Sequence, residues 1–303
     1  FVVNLENGNL IESLDAGSAG LSTPVFTRDK GIVEFAYAGN VDGELFRFDL
    51  SDSGTNKWDS TKLFQTKDPS GDPQPITAQP RIANMPESLT KRVVTFGTGS
   101  FFRPGDRGDS SVQSLYGIID DDGSSKNITR SDLLEQEIVN EEDRTFDVEQ
   151  ESGGTQEEEF TIREISENPI TDNHDGWFLD LDTVSGERVV AGARFPSGLD
   201  RTTVRFSTLI PNSDVCSSGT SGFLMEISLA SGGRDNEPVF DITNDGEGDP
   251  GSGISTTDMP GVTDGVPPET VRDGNKDRLI EGDGNGPSMF GGLIGRQSWE
   301  QFR

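Results

Sequence analysis

The chain has 303 residues, 25 bases against 54 acids, and a formal net charge of −29. That balance excludes a general nucleic-acid binder, which needs clustered Lys and Arg to displace counterions from phosphate, and it disfavours docking on an anionic membrane. No apolar run reaches the roughly 18 residues of a membrane span, so no membrane insertion is expected.

Leu, Ile, Val and Phe make up about a quarter of the chain, above the ~20% below which highly charged chains stay unfolded. The 37 glycines and 16 prolines call for many turns between short strands. No signal-like stretch follows Phe1, so the N-terminus is read as cut short. The single cysteine, Cys216, leaves no internal disulfide. The single histidine, His174, argues against His-dependent catalysis and His-rich zinc sites.

Along the chain the apolar pattern is mostly period two, the mark of half-buried strands between Gly, Asp and Asn turns. Asn7-Gly8-Asn9-Leu10 is a frayed start. Phe46, Phe48 and Leu50 form one apolar face flanked by Glu44 and Arg47. Val93, Val94 and Phe96 lead into Gly97-Thr98-Gly99, which lacks the third glycine and the following helix of a dinucleotide fingerprint. Thr129-Arg130-Ser131-Asp132 reads as a capping box opening one short helix near 129–140, with Leu133, Leu134, Ile138 and Val139 behind it. Residues 141–159 carry nine acids and one base; they read as a solvated, partly disordered acidic insertion. His174 sits in a turn before the strand Trp177-Phe178-Leu179-Asp180-Leu181. Phe223, Met225, Ile227 and Leu229 alternate with Glu226 and Ser228. A loop-rich segment runs from 234 to 287.

Three of these units share one shape, a turn followed by a strand that carries an acid: Gly43 to Leu50, Gly176 to Leu181 and Gly222 to Leu229. An irregular repeat of this kind suggests the blades of a β-propeller with unequal insertions; a β-sandwich would give similar strands. Either way the chain is all-β, one domain over 1–303 with long acidic loops.

The most specific chemical constellation is the run Asp241 to Asp249. Asp241, Thr243, Asp245 and Asp249 occupy the positions from which oxygens converge on calcium, Gly246 marks the sharp turn, and Glu247 would add its carbonyl. Ser252 stands where a bidentate Glu is expected. Asp120-Asp121-Asp122-Gly123 and Asp273-Gly274-Asn275-Lys276-Asp277 read as ordinary turns. Arg107-Gly108-Asp109 is an integrin-type tripeptide in a Gly/Pro/Asp loop, and reads first as a solvated turn. Cys216 has no His near it in sequence and is not read as a nucleophile.

Several strings, in shared order, resemble the PilY-type proteins of the type IV pilus tip. They are Ala36-Tyr37-Ala38-Gly39-Asn40 running into Gly43-Glu44-Leu45-Phe46-Arg47-Phe48-Asp49-Leu50, then Pro75-Ile76-Thr77-Ala78-Gln79-Pro80, Val94 to Gly99, and Ser114-Leu115-Tyr116-Gly117-Ile118-Ile119-Asp120. Gly176 to Leu181, Gly186 to Val190, Thr208 through Cys216, and Gly295-Arg296-Gln297-Ser298-Trp299 continue the series. The resemblance implies a C-terminal quinoprotein-like β-propeller, with blades missing before Phe1. It implies pilus assembly, surface adhesion and twitching motility rather than an enzyme, exposure at the cell surface and pilus tip after export through the periplasm, and minor pilins, other pilus components and an abiotic or host surface receptor as partners.

The family often carries an Asp-rich calcium loop where this chain has Phe26 to Glu34. Here Phe26, Arg28 and Lys30 stand at the ligand positions, so the loop is expected to survive without its metal, and any calcium falls to the 241–249 run. The alternatives are a quinone-dependent dehydrogenase or polysaccharide-active enzyme on the same scaffold, and a salt-adapted surface-layer component.

Overall fold

The computed structural model describes residues 1–54, 57–85, 88, 91–121, 127–149, 153–196, 202–211, 221–235, 239–243, 245, 247–249 and 251–255, and the backbone of 270–273, 276–279 and 288–290. The strands in chain order are β1 (Val2–Val3), β2 (Leu10–Glu12), β3 (Val25–Asp29), β4 (Ile32–Gly39), β5 (Glu44–Asp49), β6 (Asp59–Gln65), β7 (Arg81–Asn84), β8 (Lys91–Gly97), β9 (Gln113–Asp121) and β10 (Leu134–Gln136). They continue with β11 (Ile138–Glu149), β12 (Thr155–Ile165), β13 (Gly176–Leu181), β14 (Thr203–Ser207), β15 (Phe223–Ser228), β16 (Phe240–Asp241), β17 (Gly253–Ser255), β18 (Thr270–Asp273), β19 (Lys276–Leu279) and β20 (Ser288–Phe290).

Apart from the small β1–β2 pair they form four sheets, ordered β3-β4-β5-β6, then β7-β8-β9-β13-β10, then β14-β15-β17-β12-β11, then β16-β20-β19-β18. Period-two alternation sends successive residues of one strand to opposite faces. In β8 and β9, Val94, Phe96, Tyr116 and Ile118 join Tyr37, Leu45, Leu63 and Phe64 of the first sheet. Val93 and Leu115, with Trp177 and Leu179 of β13, instead join Val204, Phe206, Phe223 and Met225 of the third. The other face of the third sheet, through Ile162, Leu224 and Ile254, meets Phe240 and Ile242. A two-layer sandwich covers one face of each sheet. Here the second and third sheets are covered on both faces, as blades packed in series are.

This double coverage corrects the expectation of half-buried strands. Phe223, Leu224, Met225, Glu226 and Ile227 are all buried, as are Leu45, Phe46 and Arg47. Of the charges that alternate with the apolar residues, Arg47 and Glu226 therefore lie inside, and each finds a partner. Between the first and second sheets, Arg47 Nη1 donates to Asp120 at 2.7 Å, and the Tyr37 hydroxyl donates to the other Asp120 oxygen at 2.6 Å. Between the second and third, Arg163 Nη1 and Nη2 both donate to Glu187 at 2.7 Å, and its Nε donates to Glu141 at 2.8 Å. On the far face of the third sheet, Arg205 Nε donates to Glu226 at 2.5 Å.

The helix expected over 129–140 is one 310 turn, Arg130–Asp132. The Thr129–Asp132 capping box is present, but Leu134, Glu135 and Gln136 pair in parallel with Trp177, Phe178 and Leu179 instead of winding on. The β-branched Ile138 and Val139 then open β11. The acidic insertion is also ordered where described. β11 and β12 form a long antiparallel hairpin in which Phe146, Val148, Phe160 and Ile162 share one face with Glu142 and Glu158, while Asp143, Asp147, Glu157 and Glu159 take the other. The hairpin lies between β9 and β13 in sequence, yet β12 pairs with β17 of the third sheet. It clasps two sheets and lengthens the repeat between them.

The unit Gly176 to Leu181 is the fourth strand of its sheet, whereas β5 is the third of its own and β15 the second, so the three units do not share one place in a blade. The true repeat shows at the strand ends. Ile76 N–H donates to the Asn40 carbonyl and Val189 N–H donates to the Thr98 carbonyl, so the segment leaving each sheet crosses back over its second strand. Both crossings need glycine beneath them. A methyl group on Gly39 would lie 2.2 Å from Ile76 Cγ2, and one on Gly97 would lie 2.4 Å from Val189 Cβ. Gly97→Ala is therefore expected to cost about 1–3 kcal/mol in urea unfolding through overpacking. Because the clash is with Val189 Cβ itself, Val189→Gly, which removes that atom, should make the double variant lose less than the sum of the two single losses. Additive losses would disprove the contact.

Candidate functional site

Two surface loops carry the residues singled out in the sequence. The first, 100–109, leaves the end of β8. Its 310 turn, Asp106–Gly108, is held from within by the Asp106 carboxylate. One oxygen accepts from Ser100 Oγ at 2.6 Å and from the Phe102 and Arg103 N–H groups at 2.9 Å. Desolvation works against that charge, but the three hydrogen bonds outweigh it and hold the Asp106 pKa below the usual carboxylate value.

From beneath, the buried Arg188 guanidinium donates to the carbonyls of Ser100 at 2.9 Å, Asp106 at 2.7 Å and Asp109 at 2.5 Å. Its Nε donates to the Gly186 carbonyl at 2.8 Å. All four contacts are to carbonyls, so burial lowers the Arg188 pKa, and Asp109 and Asp106 offset this only in part. Above this anchor Arg107, Gly108 and Asp109 are exposed. Phe102 is 63% exposed, and Arg103 lies over its ring at 5.2 Å. The Asp109 carboxylate accepts the Ser111 N–H at 2.9 Å. The loop is thus a fixed backbone that presents two guanidinium groups, a phenyl ring and a carboxylate.

Arg188 lies in the Gly186 to Val190 string of the resemblance, but no role was read for it from the sequence. Its only sequence signal is a lone base beside Glu187 ahead of an apolar pair. Arg163 was missed likewise, though a base between Ile162 and Ile165 in a strand is the pattern that marks it. Burial disfavours the charge of Arg163, but the hydrogen bonds and charges of Glu187 and Glu141 prevail and raise its pKa.

The second loop, 241–249, is closed by Asp249. One Asp249 oxygen accepts the Ile242 N–H at 2.6 Å, the Thr243 N–H at 2.9 Å and the Thr243 hydroxyl at 3.2 Å, while the Asp249 N–H returns to the Phe240 carbonyl. Asp241 is buried in β16, Asp245 and Glu247 are exposed, and Asp245 accepts the Glu247 N–H at 2.7 Å. The Thr243 carbonyl takes the Glu149 N–H from the end of β11. Asn244 and Gly246 lie outside the described residues. Among the described residues no three acidic, His or Cys side chains gather where they could hold a metal. As placed, one Asp249 oxygen clasps the loop's own N–H groups, while Asp245 and Glu247 face outward.

The remaining singled-out residues have ordinary structural places. Phe26 to Glu34 is no longer an open loop. Asp29 pairs with Ile32, and Lys30 and Gly31 both take positive φ, 49° and 83°, the two-residue hairpin turn that matches strand twist. His174 lies in the turn before β13, its Nδ1 accepting the Thr171 N–H at 3.1 Å. Asp273 pairs with Lys276 across a two-residue connection. Asp120 and Asp121 belong to β9, and Asp122 and Gly123 are outside the described residues, as are Cys216 and the stretch 295–299.

The PilY1 beta-propeller domain model matches residues 1–150. The type IV pilus biogenesis factor PilY1 of Pseudomonas aeruginosa strain PAO1 is 28% identical over 352 residues, covering 98% of this chain and 29% of the relative. Its counterpart in strain UCBPP-PA14 is 30% identical over 305 residues, covering 83% and 25%. A PilY1 homolog of Xylella fastidiosa is 30% identical over 297 residues, covering 92% and 22%.

The chain is a PilY-type protein. It spans less than a third of the length of these relatives. The crystal structure of the Pseudomonas aeruginosa PilY1 C-terminal domain superposes with a TM-score of 0.74 at 24% identity, over 95% of this chain and 65% of that one. The serial sheets of this PilY-type chain are accordingly blades of a β-propeller.

Two outcomes are expected for loop 100–109. Arg188→Met keeps the aliphatic stem and removes the donors, so it should cost about 3 kcal/mol. It should also raise hydrogen exchange in 100–109 well above that of β8 and β9. Asp106, with its depressed pKa, stabilises the loop fully above pH 3.8 and loses that contribution as pH falls below it. Asp106→Asn should flatten that part of the stability–pH curve; an unchanged curve would exclude the Asp106 carboxylate as the group that holds the loop.

Proposed function

We propose that this PilY-type propeller serves type IV pilus biogenesis and carries an adhesive surface at the pilus tip. The observation that supports it is similarity to PilY1 along almost the whole chain, with the same fold. The mechanism is mechanical, and no bond is made or broken. Blades packed on both faces give a scaffold that resists deformation. Loops fixed to it from below meet a partner with little ordering left to lose, which favours binding. In this reading loop 100–109, with Arg107, Gly108 and Asp109, faces an abiotic surface or host receptor. Other faces meet minor pilins and other pilus components. The protein acts at the cell surface, after export, in twitching motility.

Deleting the gene should abolish surface pili and twitching, and the wild-type gene should restore both; normal piliation in a clean deletion would sink the biogenesis reading. Complementation with Asp109→Ala should restore pili but lower attachment to the receptor-bearing surface several-fold. Full attachment by that variant would remove the loop from the adhesive role while leaving biogenesis untouched.

A further inference from the structure

One pair of side chains departs from the way this chain places its bases. Among the buried and half-buried arginines, Arg47, Arg92, Arg130, Arg144, Arg163 and Arg205 each meet a carboxylate. Arg188 is held by carbonyls. Arg81 and Arg194 are half-buried too, yet among the described residues neither bonds a carboxylate, although the chain holds 54 acids. The two stand close together. Arg81 belongs to β7, at the edge of the second blade. Arg188 bridges to Leu209 and Arg194 to Arg205, so the segment between them runs outside β14 at the matching edge of the third blade. Arg81 Nε donates to the carbonyl of Ala193, the neighbour of Arg194, at 2.7 Å. Gln79 Nε2 donates to the Pro24 carbonyl, just ahead of β3, at 2.8 Å. The edges of three blades therefore converge here, as they do around the central channel of a propeller.

Burial, and after it the charge of Arg194, lowers the Arg81 pKa. A guanidinium nevertheless keeps its proton, so two positive charges face each other across a blade seam. With Nε committed to Ala193, Nη1 and Nη2 of Arg81 are left to bind something else. Two guanidinium groups that approach from different strands select an anion with oxygens in more than one direction. A planar monocarboxylate is matched by one guanidinium fork. A tetrahedral dianion reaches two forks and balances both charges. We propose that Arg81 and Arg194 form a binding site for a small tetrahedral dianion of the phosphate class, which clamps the second blade to the third. The assignment is independent of the pilus reading, since it rests on the arginine pair alone.

The test is titration calorimetry of the 303-residue chain with inorganic phosphate at about 0.15 M sodium chloride, where diffuse repulsion by an acidic protein is screened. Saturable binding is expected, and Tm should rise with added phosphate at constant ionic strength. Arg194→Gln, whose side chain makes no bond among the described residues, should leave the fold intact and weaken binding about tenfold, the scale of a lost charged hydrogen bond. Arg81→Lys keeps the charge, loses the fork and should weaken binding as well. Phosphate should bind more tightly at about pH 8 than at about pH 6, because it takes its second charge between them. Sulfate is doubly charged at both and should bind alike at the two, which separates the dianion from any change in the protein. Acetate should bind more weakly than either. Lys57→Gln with Lys62→Gln removes two positive charges beside β6, at the far edge of the first blade, and should change nothing. No saturable heat, acetate as tight as phosphate, or equal weakening by the lysine pair would each overturn the assignment.

Discussion

Buried guanidinium groups hold this propeller's charge together. Because each central blade is covered on both faces, a charged residue in the middle of its packing has no route to water. It must be neutralised where it stands or it would be prohibitively costly. Arg47 meets Asp120, Arg163 meets Glu187, and Arg205 meets Glu226, all deep in the packing. Arg163 also lies 3.4 Å above the Phe223 ring, so its flat face is used for packing while its edge is used for hydrogen bonds. Such pairs add little net stability over apolar residues of the same shape, but losing one partner strands the other. Their effect is to fix one register of blade against blade.

The same side chain does a different task at the rim. Among the described residues Arg188 bonds no carboxylate and gathers four carbonyls, three of them from loop 100–109. A planar group with five donors suits this better than an ammonium could. It converts a Gly- and Pro-containing loop, which on composition alone would wander, into a surface of fixed shape. Blade rigidity and loop display are thus linked by chemistry, since guanidinium groups secure both.

How much of this was legible in the sequence depends on what each signal measures. Period-two alternation located β5, β8, β13 and β15, because pleating fixes which residues share a face. It could not show that both faces are covered, so Arg47 and Glu226 looked like solvent-facing flanks. The capping box at Thr129 was a true local signal, yet a cap does not decide how the chain continues beyond it. Pairing of Leu134 to Gln136 with β13 outweighed helix propensity. In 141–159 the acid count hid an alternation of Phe146, Val148 and Phe160, and composition overrode pattern in the reading. The calcium spacing in 241–249 was present in sequence, but spacing does not show that one Asp249 oxygen accepts the loop's own N–H groups. Arg107, Gly108 and Asp109 were found by motif; Arg188, which positions them, leaves almost no trace in sequence because its partners are carbonyls that every residue possesses.

The net charge of −29 takes on a different meaning once these positions are known. Every lysine with a described side chain is exposed, whereas Arg47, Arg163, Arg188 and Arg205 are buried. Burial withdraws bases from the surface, and three of the four take an acid in with them. Many of the other acids stand on the outward side of the β11–β12 hairpin and in the loops. Guanidinium stays charged when dehydrated, while a buried lysine loses its proton readily. Arginine is therefore the base that can be spent inside without creating a neutral, unpaired group. Against so acidic a surface, the exposed Arg103 and Arg107 beside Phe102 form a local exception.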